Sequence, residues 1–302
     1  SKYLGQKFLN LSKDFLSKYS FDCISLHGQT IHHIDKVKTI QVGDPSYMAS
    51  YFKVPIVYNF RQRDIDLGGN GAPLMPFLDW LIFKDSKKNI LTLNLGGISN
   101  ISFIPKNCSI NQVLGFDTGP GMCLIDQITY EFWSEDCDKD GKYSIKGSVD
   151  SLILDYLTRN TPFIYKPIPK STGREQFGSH FINKIVQQFE NAKKADILRT
   201  LIKFTSISIK LNIEKFILNK TKVDKIVISG GGSFHPILMD DIKKDLDIPI
   251  VNIIDYGIDS KFKESFLMSV LGYARIKNID SNMPSVTGSF KSSILGDVYE
   301  IE

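Results

Sequence analysis

Three glycine-rich turns, each placed at the end of an apolar run, constrain this chain of 302 residues more than any other feature. They are Asn94-Leu95-Gly96-Gly97, Gly115-Phe116-Asp117-Thr118-Gly119-Pro120-Gly121 and Gly230-Gly231-Gly232. Residues 90–94, 113–116 and 225–229 ahead of them read as strands, and helical periodicity follows the second and third. Glycine reaches backbone conformations closed to other residues and lets N–H groups approach an anionic oxygen closely. A tight turn alone explains any one of these segments. Three at the ends of three strands in an α/β pattern point to a nucleotide cleft. None fits G-x-x-x-x-G-K-[ST] or G-x-G-x-x-G, so the nucleotide is held by another architecture.

The rest of the chain supports an α/β fold with mixed sheets. Leu4, Phe8, Leu11, Phe15 and Tyr19 recur at helical spacing over residues 3–19, and a short strand follows over 21–26. Residues 39–42 and 56–60 read as strands around a helix opened by Asp44-Pro45. Residues 90–94 and 98–104 form a hairpin across Gly96-Gly97. Helices are expected over 122–133, 179–219, 236–246 and 261–277, with a last strand over 250–254. The Gly- and Pro-rich segment 66–76 reads as a loop and a domain crossing. Residues 1–75 with 286–302 are expected as one domain, and 76–285 as a second that carries the glycine turns.

Charge and cysteine usage narrow the function classes. The net charge of +4 is dispersed, and pairs such as Lys193-Lys194 sit among acids as solvated helix faces, so nucleic acid is not expected as a partner. Cys23, Cys108, Cys123 and Cys137 form no C-x-x-C pair, which argues against a zinc site and for free thiols in a reducing cytoplasm. No apolar run approaches the roughly 20 residues of a membrane span, and no signal peptide is visible.

Asp117 is the candidate catalytic group. A carboxylate at a strand end, flanked by Gly115, Gly119 and Gly121, is exposed to ligand on a rigid support, as a general base requires. The alternative is a turn cap that accepts a backbone N–H. His27, Gln29, Thr30, His32 and His33 cluster in a predicted strand-end loop, suited to hydrogen-bonding a hydroxylated substrate or to a purely structural role. Arg61 and Arg63 offer bidentate capture of carboxylate or phosphate, or surface pairing with Asp64 or Asp66. The run Asp136-Cys137-Asp138-Lys139-Asp140-Gly141 imitates an EF-hand start, but Gly147 stands where the bidentate Glu belongs, so a turn is expected.

These motifs, in order, resemble the anhydro-N-acetylmuramic acid kinase family. The resemblance rests on Leu26 to Thr30, Gln41 to Pro45, Asn59 to Asp64, Leu67 to Leu74, Asn94 to Asn100, Gly115 to Gly121, Lys170 to Glu175, Gly230 to Gly232, Lys263 to Phe266 and Pro284 to Gly288. It implies an actin-like ATPase fold, with two ribonuclease H-like domains flanking an ATP cleft, and Mg-ATP and 1,6-anhydro-N-acetylmuramic acid as substrates in a step of cell-wall recycling. By resemblance, Asp117 is the base that activates water. Asn94, Gly96, Gly97, Asn100, Gly119, Gly121 and Gly230 to Gly232 are on the nucleotide side. Gln29, Thr30, Arg61, Arg63 and Glu264 are on the sugar side, with an Arg meeting the lactyl carboxylate. A homodimer is also implied, and the metal ligands are left unassigned. Two other readings are an ATP-binding relative without turnover and an anhydro-sugar hydrolase that uses no ATP. The family's opening Gly-Thr-Ser-x-Asp-Gly phosphate loop is not among these 302 residues. The first domain is therefore expected to be N-terminally truncated, and this chain alone to have little kinase activity.

Overall fold

The computed structural model describes residues 1–300. Its strands are β1 (Ile24–Leu26), β2 (Gln29–Ile34), β3 (Lys38–Val42), β4 (Ile56–Tyr58), β5 (Ile90–Leu95), β6 (Ile98–Ile104), β7 (Leu114–Pro120), β8 (Lys225–Ser229), β9 (Ile250–Asn252) and β10 (Asp297–Tyr299). Contacts divide the chain into two compact units. Unit 1 comprises Ser1–Ile82, Ser109–Val113 and Phe262–Glu302, and unit 2 comprises Phe83–Cys108 and Leu114–Lys261. This division puts residues 262–285 in unit 1, whereas the sequence reading grouped them with the glycine turns.

Unit 2 is built on a five-stranded sheet of order β7-β6-β5-β8-β9. β6 runs antiparallel to both β5 and β7, while β8 and β9 run parallel to β5. This order, with only the second strand reversed, is the ribonuclease H-like arrangement that the resemblance implies. The pattern of β5 explains its central place: Leu91, Leu93 and Leu95 are fully buried, with Thr92 between them, as expected of a strand covered on both faces. Helix Lys194–Ile213 packs on this core and is tied to helix Pro236–Leu246 by matched charges four residues apart. The Arg199 guanidinium donates to both oxygens of Asp241 at 2.7 and 2.8 Å, and Lys203 Nζ to both oxygens of Asp245 at 2.8 Å.

In unit 1, β4 lies between parallel β1 and antiparallel β10, and β2 and β3 form a separate hairpin. Met48, Ala49 and Ile56 form a small core with Phe8 and Leu16. The Asp64 carboxylate ties distant segments together. It accepts from the backbone N–H of Gly71 at 2.8 Å, from Asn282 Nδ2 at 3.1 Å and from Thr287 Oγ1 at 2.7 Å.

Four expectations are corrected in detail. The strand expected over 113–116 continues through Asp117 to Pro120, because a bulge between Ser99 and Asn100 keeps β6 paired with it. The loop expected at Gln29 to His33 is strand β2, whose polar, exposed residues give no alternation to read. β10, three residues long, is a further strand after the one expected last. The helical region expected over 179–219 is broken: helix Ser179–Gln188 ends, Ala192 N–H turns back to Phe189 O, and a second helix starts at Lys194.

Asp64→Ala removes the acceptor of the Gly71 N–H, whereas Asn282 Nδ2 and Thr287 Oγ1 keep other partners, and a buried donor left unpaired costs about 1–3 kcal/mol. The chain has two tryptophans, Trp80 in unit 1 and Trp133 in unit 2. In a Trp133→Phe background, urea unfolding followed by Trp80 fluorescence should show unit 1 destabilised by about 1–3 kcal/mol. A loss below about 0.5 kcal/mol, the range of an ordinary surface change, contradicts the assignment of Asp64 as the staple.

Candidate active site

The carboxyl ends of β5, β7 and β8 lie on one edge of the unit 2 sheet, because these strands are mutually parallel. All three glycine turns therefore meet there. Hydrogen bonds stitch two of them together: Gly121 N–H and Cys123 N–H donate to Gly97 O at 2.9 and 3.0 Å, and Met122 N–H to Gly96 O at 2.8 Å. The third closes over β5. Gly230 takes φ +88°, where a Cβ would also stand 2.6 Å from Leu95 O, so no other residue fits. A Cβ on Gly232 would meet Leu95 Cβ at 2.8 Å, whereas the Gly231 backbone faces open space.

A polar row crosses the sheet beside these turns. Register places Ser229 opposite Asn94, Asn94 opposite Asn100, and Asn100 opposite Asp117. Directly opposed residues share a face, and Ser229 Oγ donates to Asn94 Oδ1 at 3.3 Å. Four strands thus contribute one continuous polar line that ends in a carboxylate.

Asp117 retains 8% exposure and is held on two sides. Its N–H donates to Lys170 O at 3.2 Å, and its Oδ2 accepts from Thr172 N–H at 2.8 Å. The carboxylate thus accepts a backbone N–H, as the turn-cap alternative has it, and keeps slight exposure. Next to it, Gly119 takes φ +136° and leaves room for Ser208, whose Oγ donates to Thr118 O at 2.6 Å.

Sequence reasoning gave Lys170 and Thr172 no role, because nothing local signals that a segment some 50 residues later pairs with β7. The Lys170 ammonium is buried; it donates to Phe163 O at 3.1 Å and Ile164 O at 3.0 Å, amid the rings of Phe116, Phe163 and Phe216. Burial, and next the Lys215 charge, lower its pKa to about 8, against the opposing pull of Asp117.

A cavity of about 500 Å³ opens at this edge, with Gly96, Gly97, Met122, Asp126, Gly231 and Phe234 in its wall. The EF-hand imitation borders it as a turn. Asp138 is spent within the protein, accepting from Ser144 Oγ, from Tyr143 N–H at 2.8 Å and from His235 Nε2 at 3.3 Å. No three His, Cys, Asp or Glu side chains converge on a metal position among the described residues.

The sugar-side candidates all lie in unit 1. Gln29 opens β2 and donates to Thr30 O at 3.2 Å, and Thr30 Oγ1 accepts from Gln41 Nε2 at 3.2 Å. Arg61 does not pair with Asp64: its Nε donates to His27 Nε2 at 3.2 Å and its Nη1 to Gly71 O at 2.9 Å. Arg63 Nε reaches Ser293 Oγ at 3.2 Å, and Asp66 accepts from Gln62 Nε2 at 2.8 Å. Glu264 is exposed in the first turn of helix Lys263–Ile276, and its charge acts on both Arg61 and His27. His27, whose Nδ1 donates to Gly28 O at 2.9 Å, is thereby fixed as the tautomer that accepts from Arg61. Burial, then the Arg61 charge, lowers its pKa.

Residues 4–301 match the family described as Anhydro-N-acetylmuramic acid kinase. The chain belongs to this family. A curated anhydro-N-acetylmuramic acid kinase of Clostridioides difficile (strain 630) is 36% identical over 98% of this chain and 80% of its own length. That of Bacillus cereus (strain Q1) is 36% identical over 98% and 81%, and that of Francisella tularensis subsp. novicida (strain U112) 35% identical over 98% and 80%. Among solved structures, a ligand-bound xylulose kinase from Lactobacillus acidophilus aligns with a TM-score of 0.44 at 13% identity, over 89% of this chain and 52% of its own. At that distance it adds nothing to the assignment. No helix among the described residues is long and apolar enough to cross a membrane.

The lowered pKa of His27 carries a sign. The unfolded imidazole titrates near its ordinary value of about 6.5, and the folded one below it. As pH falls through 6.5 the unfolded state binds more protons, so unit 1 loses stability, and the loss levels off below the folded pKa. Urea midpoints read by Trp80 between pH 7.5 and 5 should show this loss. His27→Gln, which keeps an acceptor for Arg61, should flatten it. An unchanged pH slope in the variant refutes the assignment.

Proposed function

We infer that this protein is an ATP-dependent kinase that converts 1,6-anhydro-N-acetylmuramic acid to N-acetylmuramic acid 6-phosphate, opening the anhydro bridge with water as it transfers the phosphoryl group. The polar row Ser229–Asn94–Asn100–Asp117 along the glycine-lined edge of the sheet is the observation that carries this reading.

In this reading the cavity beside Gly96-Gly97 and Gly231 takes ATP. Backbone N–H groups of the glycine turns suit the phosphate oxygens, since they donate without competing charge. Phe234 and Met122 supply an apolar wall for the base. Asn94 and Asn100 are neutral amides placed where phosphate charge develops, and Gly119 and Gly121 bring the backbone close to it. Mg²⁺ would accompany ATP at these phosphates, and no side chain is assigned to hold it. When bound there, it supplies charge neutralisation.

Asp117 takes the proton from a water that attacks the anomeric carbon. The bond from that carbon to the bridging 6-oxygen breaks, and the freed 6-oxygen accepts the γ-phosphoryl group, leaving ADP. Its hydrogen bond from Thr172 N–H orients the carboxylate for this role. Phosphoryl transfer then needs chiefly positioning and charge neutralisation. Gln29, Thr30, Arg61, Arg63 and Glu264 are the proposed sugar contacts, with the Arg61 guanidinium, pre-oriented by His27 and Gly71, suited to a carboxylate. A homodimer in the cytoplasm is the setting proposed with this activity.

Asp117→Asn tests the assignment and keeps an acceptor for Thr172 N–H. Formation of sugar phosphate, followed by mass spectrometry, should fall about 10²–10⁴-fold with ATP affinity retained. Turnover within a few-fold of the parent contradicts Asp117 as base. A product without phosphate, formed in the absence of ATP, contradicts the kinase itself.

A further inference from the structure

Two carboxylates with buried atoms border the 500 Å³ cavity, and they differ in one respect. Asp138 is fully engaged by Ser144, Tyr143 and His235. Asp126, in the first turn of helix Cys123–Trp133, has a buried Oδ1 with no hydrogen-bond partner. His235 cannot supply one: its Nδ1 accepts from Leu238 N–H at 3.2 Å, and its Nε2 is directed at Asp138. Burying a carboxylate oxygen unpaired is costly, and the Asp126 side chain borders the cavity, where a ligand can supply the missing donor.

The chemistry restricts that donor. A carboxylate repels phosphate, so the triphosphate belongs toward Gly96 and Gly97, not toward Asp126. The base belongs against Phe234. Between phosphates and base a nucleotide offers only the two hydroxyls of its ribose, which are neutral donors matched to a carboxylate acceptor. The same solution recurs where an acidic side chain receives a ribose hydroxyl in dinucleotide-binding folds.

We propose that Asp126 accepts hydrogen bonds from the ribose hydroxyls of the bound nucleotide and makes the site selective for ribonucleotides over deoxyribonucleotides. The proposal rests on the reading of the cavity as the ATP site and adds to it the group that reads the sugar of the nucleotide. The desolvation that raises the Asp126 carboxyl to about 6, despite opposing charges on His235 and Arg174, fits a side chain that lacks its partner until the ligand arrives.

Calorimetric titration of the chain with ATP, 2′-deoxy-ATP and 3′-deoxy-ATP tests it. One hydrogen bond to a charged group corresponds to about 10-fold or more in affinity. ATP should therefore bind about 10-fold tighter than at least one deoxy analogue. In Asp126→Ala that preference should collapse toward unity through loss of ATP affinity, with analogue affinities little changed, and Asp126→Asn should retain part of it. Equal binding of ATP and both analogues by the parent chain overturns the proposal without need of a variant. A preference that persists in Asp126→Ala also overturns it. Absence of ATP binding to the parent chain is a different failure, which removes the nucleotide reading along with the proposal.

Discussion

The double pairing of β5 is the constraint on which the candidate site depends. Ile90–Leu95 is bonded to antiparallel β6 on one side and to parallel β8 on the other, with its leucines buried. A hairpin returns the chain on one side, and a parallel crossover of more than 100 residues returns it on the other. Both deliver their turns to the carboxyl edge of β5. A register slip of one residue in β5 would send Asn94 to the opposite face and break the row from Ser229 to Asp117. Core packing and site geometry are thus one decision, because the leucines that fix register are also what aims the asparagine.

Charge is partitioned along that edge. The glycine turns and the asparagines present neutral donors where an anion would sit, and the acidic groups stand at the flanks: Asp117 in β7, Asp126 and Asp138 across the cavity. The cation nearest in chemistry to Asp117 is Lys170, but its ammonium is turned into the protein, onto Phe163 O and Ile164 O. It anchors the segment whose Lys170 O and Thr172 N–H grip Asp117. In unit 1, Arg61 is held similarly: His27 and Gly71 fix its guanidinium, and a pre-oriented group loses less entropy in any contact it makes.

Much of this was legible in the sequence, and the parts that were not have physical reasons. In β5, β6 and β8 the apolar residues outweigh interspersed polar ones such as Thr92, Asn94, Asn100 and Ser102, and strand β8 and helix Pro236–Leu246 fall where periodicity places them. The glycine turns were legible because their backbone demands are local, and the parallel strands bring all three to one sheet edge. β7 was cut short, since Gly119 and Pro120 read as loop, and only the bulge opposite Ser99 keeps them in the sheet. β2 escaped because an exposed hairpin carries no hydrophobic alternation. Lys170 and Thr172 stood in a matching motif without a role, and Asp126 was not singled out, because each acquires meaning from a partner, or from the lack of one, that only the folded chain defines.

The proposed reaction is a coupling, in which water attacks the sugar while phosphate goes to the oxygen so released. Turnover in ¹⁸O-labelled water, quenched before the anomeric hydroxyl can exchange, reads that coupling directly. Mass spectrometry of the product should find one heavy oxygen on the sugar at the anomeric carbon and none in the phosphoryl group. Label in inorganic phosphate, with sugar left unphosphorylated, would mean that water attacks phosphorus and that Asp117 serves a different reaction.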